Sequence, residues 1–235
     1  MEALLLGGGK AERLGDAAQG LPKPLVPVGE IPLAGYTVAR LVECGVTRVI
    51  VACRAGDEDA YFQALSGLGA EIDAVGETEP LGRGGGLRLA ASRRQEDGPV
   101  LALNGDELLD VDFRALLAEH EASGAAATVV VTQVRSPFGV VQVEEDGTIT
   151  GFREAPVLDD WVNSGVYVLG EEALALLPEK GDHEQSTFPQ LANDGKLRAH
   201  RHRGVWLTVN TPKDLRRATE FMEQHPNWRP QRQLA

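Results

Sequence analysis

Residues 3–29 read ALLLGGGKAERLGDAAQGLPKPLVPVG, and this stretch sets the fold class because a glycine-rich turn follows directly on a strand. Residues 3–6 are apolar and uncharged, as a buried parallel strand requires. After Leu6, the three residues Gly7, Gly8 and Gly9 let the backbone turn tightly and leave its N–H groups bare, which suits a polyanion. Lys10 and Arg13 follow at a spacing of three. Lys23 stands between Pro22 and Pro24, whose fixed φ angles hold one ammonium in a set direction. A P-loop needs GxxxxGK and then Ser or Thr, which no stretch supplies, and the dinucleotide fingerprint GxGxxG fails at Glu12.

Outward from that stretch, the chain has 235 residues and a formal net charge of -12. A chain of this length buries about 70% of its unfolded surface, enough for a core without staples. Cys44 and Cys53 have neither a CxxC partner nor a neighbouring His, so they read as small apolar residues in a reducing compartment. The amino terminus has no basic region and only a short apolar run, so neither a signal peptide nor a membrane span is expected there, and a cytoplasmic location is the default. The acidic balance repels phosphate polymers, which argues against nucleic acid as a partner and requires any phosphate ligand to be held locally. Lys10, Arg13 and Lys23 supply that local charge.

Strand and helix alternate through the first half: helix 31–45, strand 46–52, helix 57–65, strand 71–75, helix 87–94, strand 99–103, helix 112–122 and strand 128–134. The alternation predicts an α/β fold with a parallel sheet, helices on both faces and a ligand site at the carboxyl ends of the strands. After Ser136 the rhythm changes. Residues 139–143 and 148–152, joined by EEDG, read as a hairpin. A strand at 162–169, short helices at 171–177 and 185–192, strands at 196–203 and 205–209, and a helix at 212–224 follow. The tail 225–235 is basic and contains proline, and is expected to be loose or packed on a neighbour.

Further motifs lie along this frame. In EPLGRGGGL, residues 79–87, Gly82, Gly84 and Gly85 offer bare backbone against which a flat base and its ribose can lie. LALNGDEL, residues 101–108, ends a buried strand in Asn104 and Asp106, and an acid at that place can hold Mg2+ against phosphate oxygens. FGVVQVEEDGTITGFREAP (138–156), VNSGVY (162–167) and VWLTVNTPKDLRRA (205–218) complete the set.

GGxxxxRL, a short loop and then PKPLxPV resemble the signature of the nucleotidyltransferases that make nucleotide sugars, the sugar-1-phosphate pyrophosphorylases. The other motifs are similar to that family's EPLGTAGAL, NGD, YGVVxxDxxGxIxxFxEKP, INAGIY and YWxDIGTPEDYxxA, so the likeness runs from Ala3 to about Phe221. It is closest to guanylyltransferases acting on mannose- or heptose-type 1-phosphates. The resemblance implies a Rossmann-like, mostly parallel sheet sandwiched by helices, with a smaller β-rich acceptor-binding lobe. One domain over 1–235 is expected, with a nucleotide-binding half to about 135 and a sugar-phosphate-binding half at about 136–224.

The implied reaction is Mg2+-dependent: an NTP, taken as GTP, and a sugar 1-phosphate of mannose, heptose or cyclitol type give an NDP-sugar and pyrophosphate. Arg13, Lys23 and Asp106 would carry catalysis. Leu6, Gly7, Gly8, Gly9, Lys10, Gly82, Gly84, Gly85 and Asn104 would surround the nucleotide, and Gly139, Arg153, Glu154 and Asn163 the sugar phosphate. A homo-oligomer is compatible with this reading. Three positions depart from the family pattern. Thr208 replaces its second metal-binding aspartate, and Asn210 its glycine two positions on. Residues i and i+2 of a strand share a side, so Asn210 can join Asp106 as a metal ligand. Ala155 replaces the lysine that meets the sugar phosphate, and Arg153 and Arg83 are extra cations that would compensate. Two other readings fit these residues: a catalytically silent regulatory subunit that binds a nucleotide sugar, and a cytidylyltransferase for an alcohol phosphate or phosphonate.

Overall fold

The computed structural model describes residues 1–9 and 11–228. Lys10, expected at the nucleotide, and residues 229–235 of the tail lie outside the described residues. The chain runs through β1 (Glu2–Leu6), a two-stranded ribbon of β2 (Pro27–Val28) and β3 (Ile31–Pro32), and α1 (Leu33–Glu43). It continues through β4 (Arg48–Arg54), α2 (Glu58–Leu65), β5 (Glu71–Glu77), α3 (Gly82–Ala91), β6 (Val100–Asn104), β7 (Glu107–Leu109), α4 (Phe113–Ser123) and β8 (Ala127–Arg135). The second half adds the hairpin β9 (Val140–Val143) and β10 (Ile149–Arg153), then β11 (Val157–Leu169), α5 (Glu171–Ala175), α6 (Thr187–Asn193), β12 (Leu197–Arg201), β13 (Trp206–Thr208) and α7 (Pro212–Gln224).

Seven strands form one sheet in the order β12-β8-β11-β6-β1-β4-β5. Pairings of β1 with β4 and β6, of β4 with β5, and of β8 with β12 are parallel. Strand β11 runs antiparallel to both β6 and β8. The cause is local: a hairpin, not a crossover helix, links β8 to β11, so the chain must come back in the opposite direction. The sheet is therefore mostly parallel, as the alternation predicts, with one reversed strand inside it.

The central strands are covered on both faces, which explains their unbroken apolar runs. Leu5, Val49 and Val51 face Val38 of α1, Leu65 of α2 and Leu116 of α4 in one core. Leu4, Ile50 and Ala52 face Leu87 of α3, Ala173 of α5 and Leu191 of α6 in a second. A third, smaller cluster joins Leu14, Val26 and Val28 to Val209 and Met222, and so fastens the loop after β1 onto α7. Helix α3 begins at Gly82 rather than near Leu87. β11 is longer than its apolar stretch suggests. β13 pairs with β7 in a ribbon of its own instead of joining the sheet. The tail's start, a 3-10 turn at Pro226–Trp228, packs on the chain itself: Trp228 meets Phe221 edge-on and lies under Arg40. Among the described residues no helix is long and apolar enough to cross a membrane.

Candidate active site

Three glycines end β1 at the carboxyl edge of the sheet, and the fold grips the first of them. Gly7 N–H donates to Ala52 O of β4 at 2.7 Å, and the Tyr61 hydroxyl of α2 donates to Gly7 O at 2.6 Å. A Cβ on Gly7 would come within 2.8 Å of the Tyr61 ring, so no side chain fits there. Burial pushes the Tyr61 pKa up, which keeps the hydroxyl protonated and donating. Gly8 and Gly9 are exposed on the wall of a cavity of about 310 Å³ that Ala11, Gly15, Leu21 and Arg54 also line. Arg13 is exposed in the 3-10 turn Glu12–Ala18, whose Leu14 and Ala18 are anchored in the third core.

Lys23 occupies a 3-10 turn, Lys23–Leu25, and its N–H donates to Gly9 O at 3.2 Å, tying this turn to the glycines. The residue is 8% exposed, and its ammonium donates to Asp106 Oδ2 and Asn210 Oδ1, both at 2.6 Å. Asp106 reaches that place through Gly105. The Gly105 N–H donates to Leu6 O at 2.9 Å, and a Cβ there would stand 2.7 Å from the same oxygen and 3.0 Å from Pro24 Cγ. Leu6 thus takes part through its backbone, at the seam between β1 and β6.

Asn210 follows β13, and a capping box between Thr211 and Asp214 fixes the backbone behind it at the start of α7. Thr208 is paired with Glu107 in the β7 and β13 ribbon instead. The oxygen two positions on is the one that arrives beside Asp106. Glu107 lies next to this centre and accepts Trp206 Nε1–H at 2.9 Å. Burial, reinforced by the neighbouring Asp106 charge, pushes its carboxyl up to about 8.

The glycines at the start of α3 meet the chain itself. A loop at 178–183 covers them: Gly84 and Gly85 N–H both donate to Gly181 O, at 2.9 and 3.2 Å. A Cβ on Gly82, Gly84 or Gly85 would stand 2.8, 2.6 or 2.6 Å from Gly181, Pro178 and Glu179 respectively. Close packing on this loop is a sufficient reason for glycine at these three positions, in addition to the bare backbone that the nucleotide reading asks of them. Gly86 is different, because a Cβ there would stand 2.7 Å from Glu77 Oε1 at the end of β5. Glu77 also stands 3.8 Å from the Cβ position of Gly8, accepts Leu81 N–H at 3.3 Å, and has its carboxyl pKa pushed up by burial. Tyr61 and Glu77 are the residues that motif reading misses.

On the acceptor side, Gly139 and Glu154 come together at the foot of the hairpin, a Cβ on Gly139 lying 3.0 Å from Glu154 Oε2. Asn163 Oδ1 accepts Gly165 N–H at 2.8 Å and its Nδ2 donates to the Tyr167 hydroxyl at 2.9 Å. Gly165, with φ +76, packs against the Asn104 amide, so the strand end at Asn104 and the VNSGVY segment touch. Arg153 is exposed on β10. Arg83 is engaged by Asp182 at 3.2 Å and Glu184 at 2.9 Å, which corrects its reading as a compensating cation. Ala155 has φ +43, and its carbonyl accepts Arg135 Nη1–H at 2.7 Å.

Residues 2–225 match the family described as Nucleotidyl transferase. The chain belongs to the nucleotidyl transferase family. It is 35% identical over 227 residues to a mannose-1-phosphate guanyltransferase of Emericella nidulans, covering 92% of this chain and 62% of that protein. Over 243 residues it is 33% identical to the mannose-1-phosphate guanyltransferase beta-A of Xenopus laevis, covering 97% of this chain and 68% of that one. This nucleotidyl transferase chain thus spans about two thirds of the length of the curated relatives it matches. In fold it is similar to HddC from Yersinia pseudotuberculosis, with a TM-score of 0.72 and 19% identity over 94% of this chain and 99% of that one. HddC complexed with GMP-PN gives the same TM-score at 20% identity.

A divalent metal is general in the nucleotidyl transferase family. The residues present fit one, because Asp106 Oδ2 and Asn210 Oδ1 already converge on a single positive centre, the Lys23 ammonium. No cluster of three His, Cys, Asp or Glu side chains that could hold a metal occurs among the described residues. One carboxylate and one amide oxygen would be the protein's share of a hard-cation site, with phosphate oxygens and water supplying the rest.

Proposed function

We propose that this nucleotidyl transferase makes an NDP-sugar and pyrophosphate from GTP and a sugar 1-phosphate of mannose, heptose or cyclitol type. The observation that carries the reading is the meeting of Lys23, Asp106 and Asn210 beside the exposed glycine turn. An oxygen of the acceptor phosphate attacks the α-phosphorus in line, and the new P–O bond forms as the bond to the departing pyrophosphate breaks. No protein nucleophile is needed. The amides of Gly8 and Gly9 and the guanidinium of Arg13 hold the leaving phosphates, and Lys23 exchanges its two protein oxygens for phosphate oxygens at the reacting centre. Mg2+ would be held by Asp106 and Asn210, where it neutralises phosphate charge when bound. Fixed charge and positioning are then the catalytic device. Gly139, through its backbone, with Glu154 and Asn163 orients the sugar hydroxyls, and Arg153 supplies a cation near the acceptor. Cys44 and Cys53 are free thiols, which suits a reducing cytoplasm.

Glu77 favours guanine. Its carboxylate stands between Gly8 and Gly86, two positions where no side chain intervenes. Guanine alone among the common bases presents two adjacent donors on its pairing edge, N1–H and the 2-amino group, and a carboxylate accepts both. The names of the relatives point the same way. The test is pyrophosphate release from the four common NTPs and dTTP against a panel of sugar 1-phosphates, with and without Mg2+. Metal-dependent release that is fastest with GTP is expected, and no release from any pair would overturn the reading. Glu77→Gln should lower kcat/KM for GTP by about 1.5–3 kcal/mol, roughly 10- to 150-fold, while narrowing the gap to ATP. An unchanged GTP preference would remove Glu77 from base selection.

A further inference from the structure

In the second half of the chain, on β11 and β12, two arginines are gathered on one indole. Arg201 ends β12 and Arg203 follows it by two residues, and both guanidinium carbons lie 5.4 Å from the centroid of the Trp161 ring on β11. His202, between them, is buried, and its Nε2 lies 2.8 Å from Asp110 Oδ1, an oxygen that also accepts Val205 N–H at 2.7 Å. This anchor fixes the backbone and leaves the flanking residues 201 and 203 on the other side. Both arginines are exposed, and among the described residues neither guanidinium has a carboxylate within 4.0 Å. Two like charges drawn together without an acid, in a chain of net charge -12, are not what surface ion pairing produces. The indole draws in each guanidinium at cation–π distance, while the N–H forks have no carboxylate to engage them among the described residues and can take an anion.

The strand register relates this pair to the site. Trp161 is paired with Gln133, while Asn163 and Arg201 are both paired with Val131. Paired residues, and residues two apart on a strand, share a face, so Asn163, Trp161 and Arg201 lie on one face of the sheet. Trp161 is about 7 Å beyond Asn163 along β11, roughly one sugar ring away. Ala155 brings no cation to the acceptor, and Arg83 is already paired with two acids.

We propose that Arg201, Trp161 and Arg203 bind a second acidic group of the acceptor, a carboxylate or phosphate remote from the carbon that carries the 1-phosphate. The acceptor class is then an acidic sugar 1-phosphate, and this rests on the nucleotidyl-transfer reading and on Asn163 as a sugar contact. Two guanidinium forks match the paired oxygens of either group.

The test compares mannose 1-phosphate, mannuronic acid 1-phosphate and mannose 1,6-bisphosphate as acceptors for wild type, for the double variant Arg201→Ala with Arg203→Ala, and for Arg198→Ala. Arg198 is exposed on the same strand but on its opposite face, so it controls for lost charge. In wild type and Arg198→Ala, KM should be at least tenfold lower for one or both acidic acceptors than for mannose 1-phosphate. The double variant should lose that preference with KM for mannose 1-phosphate unchanged. Which acidic acceptor gains separates carboxylate from phosphate. Equal KM values for all three in wild type, or a preference that survives in the double variant, overturns the proposal. Calorimetric titration of the same three compounds, with a GTP analogue carrying a carbon bridge between its α and β phosphorus, reads binding without turnover. If no acceptor releases pyrophosphate but the acidic ones still bind more tightly in an arginine-dependent way, the reaction is wrong and the anion site stands. Equal binding of all three sinks the anion site whatever the reaction is.

Discussion

Lys23 illustrates how much one side chain can organise. Its backbone holds the glycine turn, its two prolines fix its direction, and its ammonium gathers an acid from β6 and an amide from the start of α7. Removing a single preorganised charge from such a centre costs about 3 kcal/mol of transition-state stabilisation, so Lys23→Ala and Asp106→Asn should each lower kcat more than 100-fold. Pyrophosphate release at saturating Mg2+ measures this, and wild-type turnover in either variant would reject the assigned role. Asn210→Ala should raise the Mg2+ concentration needed for half-maximal rate while leaving stability nearly unchanged. An unaltered Mg2+ titration would exclude Asn210 as a ligand. Gly105→Ala forces a methyl group against Leu6 O and Pro24, and should cost about 1–3 kcal/mol in urea denaturation together with activity. Lys23 and Asp106 were legible because their local sequence carries the signal. Gly105 was read as part of a motif, but its reason, contact with the end of β1, was not.

At the level of elements, the loop 178–183 packs on the glycines at the start of α3. It also carries His183, fully buried and packed edge-on against Tyr167 and Phe188, with ring centroids 5.0 and 4.7 Å away. Burial first, and the nearby Arg83 charge second, hold its pKa down at about 4, with Asp182 opposing. In the folded protein the ring is therefore neutral, whereas in the unfolded chain it takes a proton near pH 6.5. Stability from this group is complete above pH 6.5 and is lost as pH falls towards 4, by roughly 3 kcal/mol across that window. Denaturation series at pH 7, 5.5 and 4 should show a steeper decline in wild type than in His183→Phe. Parallel curves would mean that His183 is not held neutral. Sequence periodicity found α5, α6 and the strands around them, but it could not find that their connecting loop folds back on α3, because those partners are about 100 residues apart.

For the molecule as a whole, the two ends of the sheet have separate tasks. The carboxyl ends hold the crevice, and the amino ends are closed by Arg48 at the start of β4. Arg48 donates to Glu2 at 2.6 Å and also pairs with Asp73 of β5, while Glu2 accepts N–H groups from Gln95 and Glu96. Taking away one member of such a buried set leaves the others uncompensated, so Arg48→Ala should cost about 3–5 kcal/mol of stability. Because the set lies at the opposite end from Lys23, kcat per folded molecule should not change. A loss of kcat with full stability would show that the two ends are coupled.

The order of elements, the mostly parallel sheet, the family and the choice of Lys23 and Asp106 as site residues follow from the amino-acid sequence by itself, because each depends on periodicity or on a short motif. That these two side chains, 83 residues apart, form an ion pair is a tertiary fact. Tertiary structure alone decided that β11 runs backwards, that Asn210 rather than Thr208 meets Lys23, that Gly82, Gly84 and Gly85 pack on the loop 178–183, and that Arg201 and Arg203 share one indole. Each of these is a meeting of groups far apart in the chain, and such distances are set by how strands register and cores close, which no local pattern encodes.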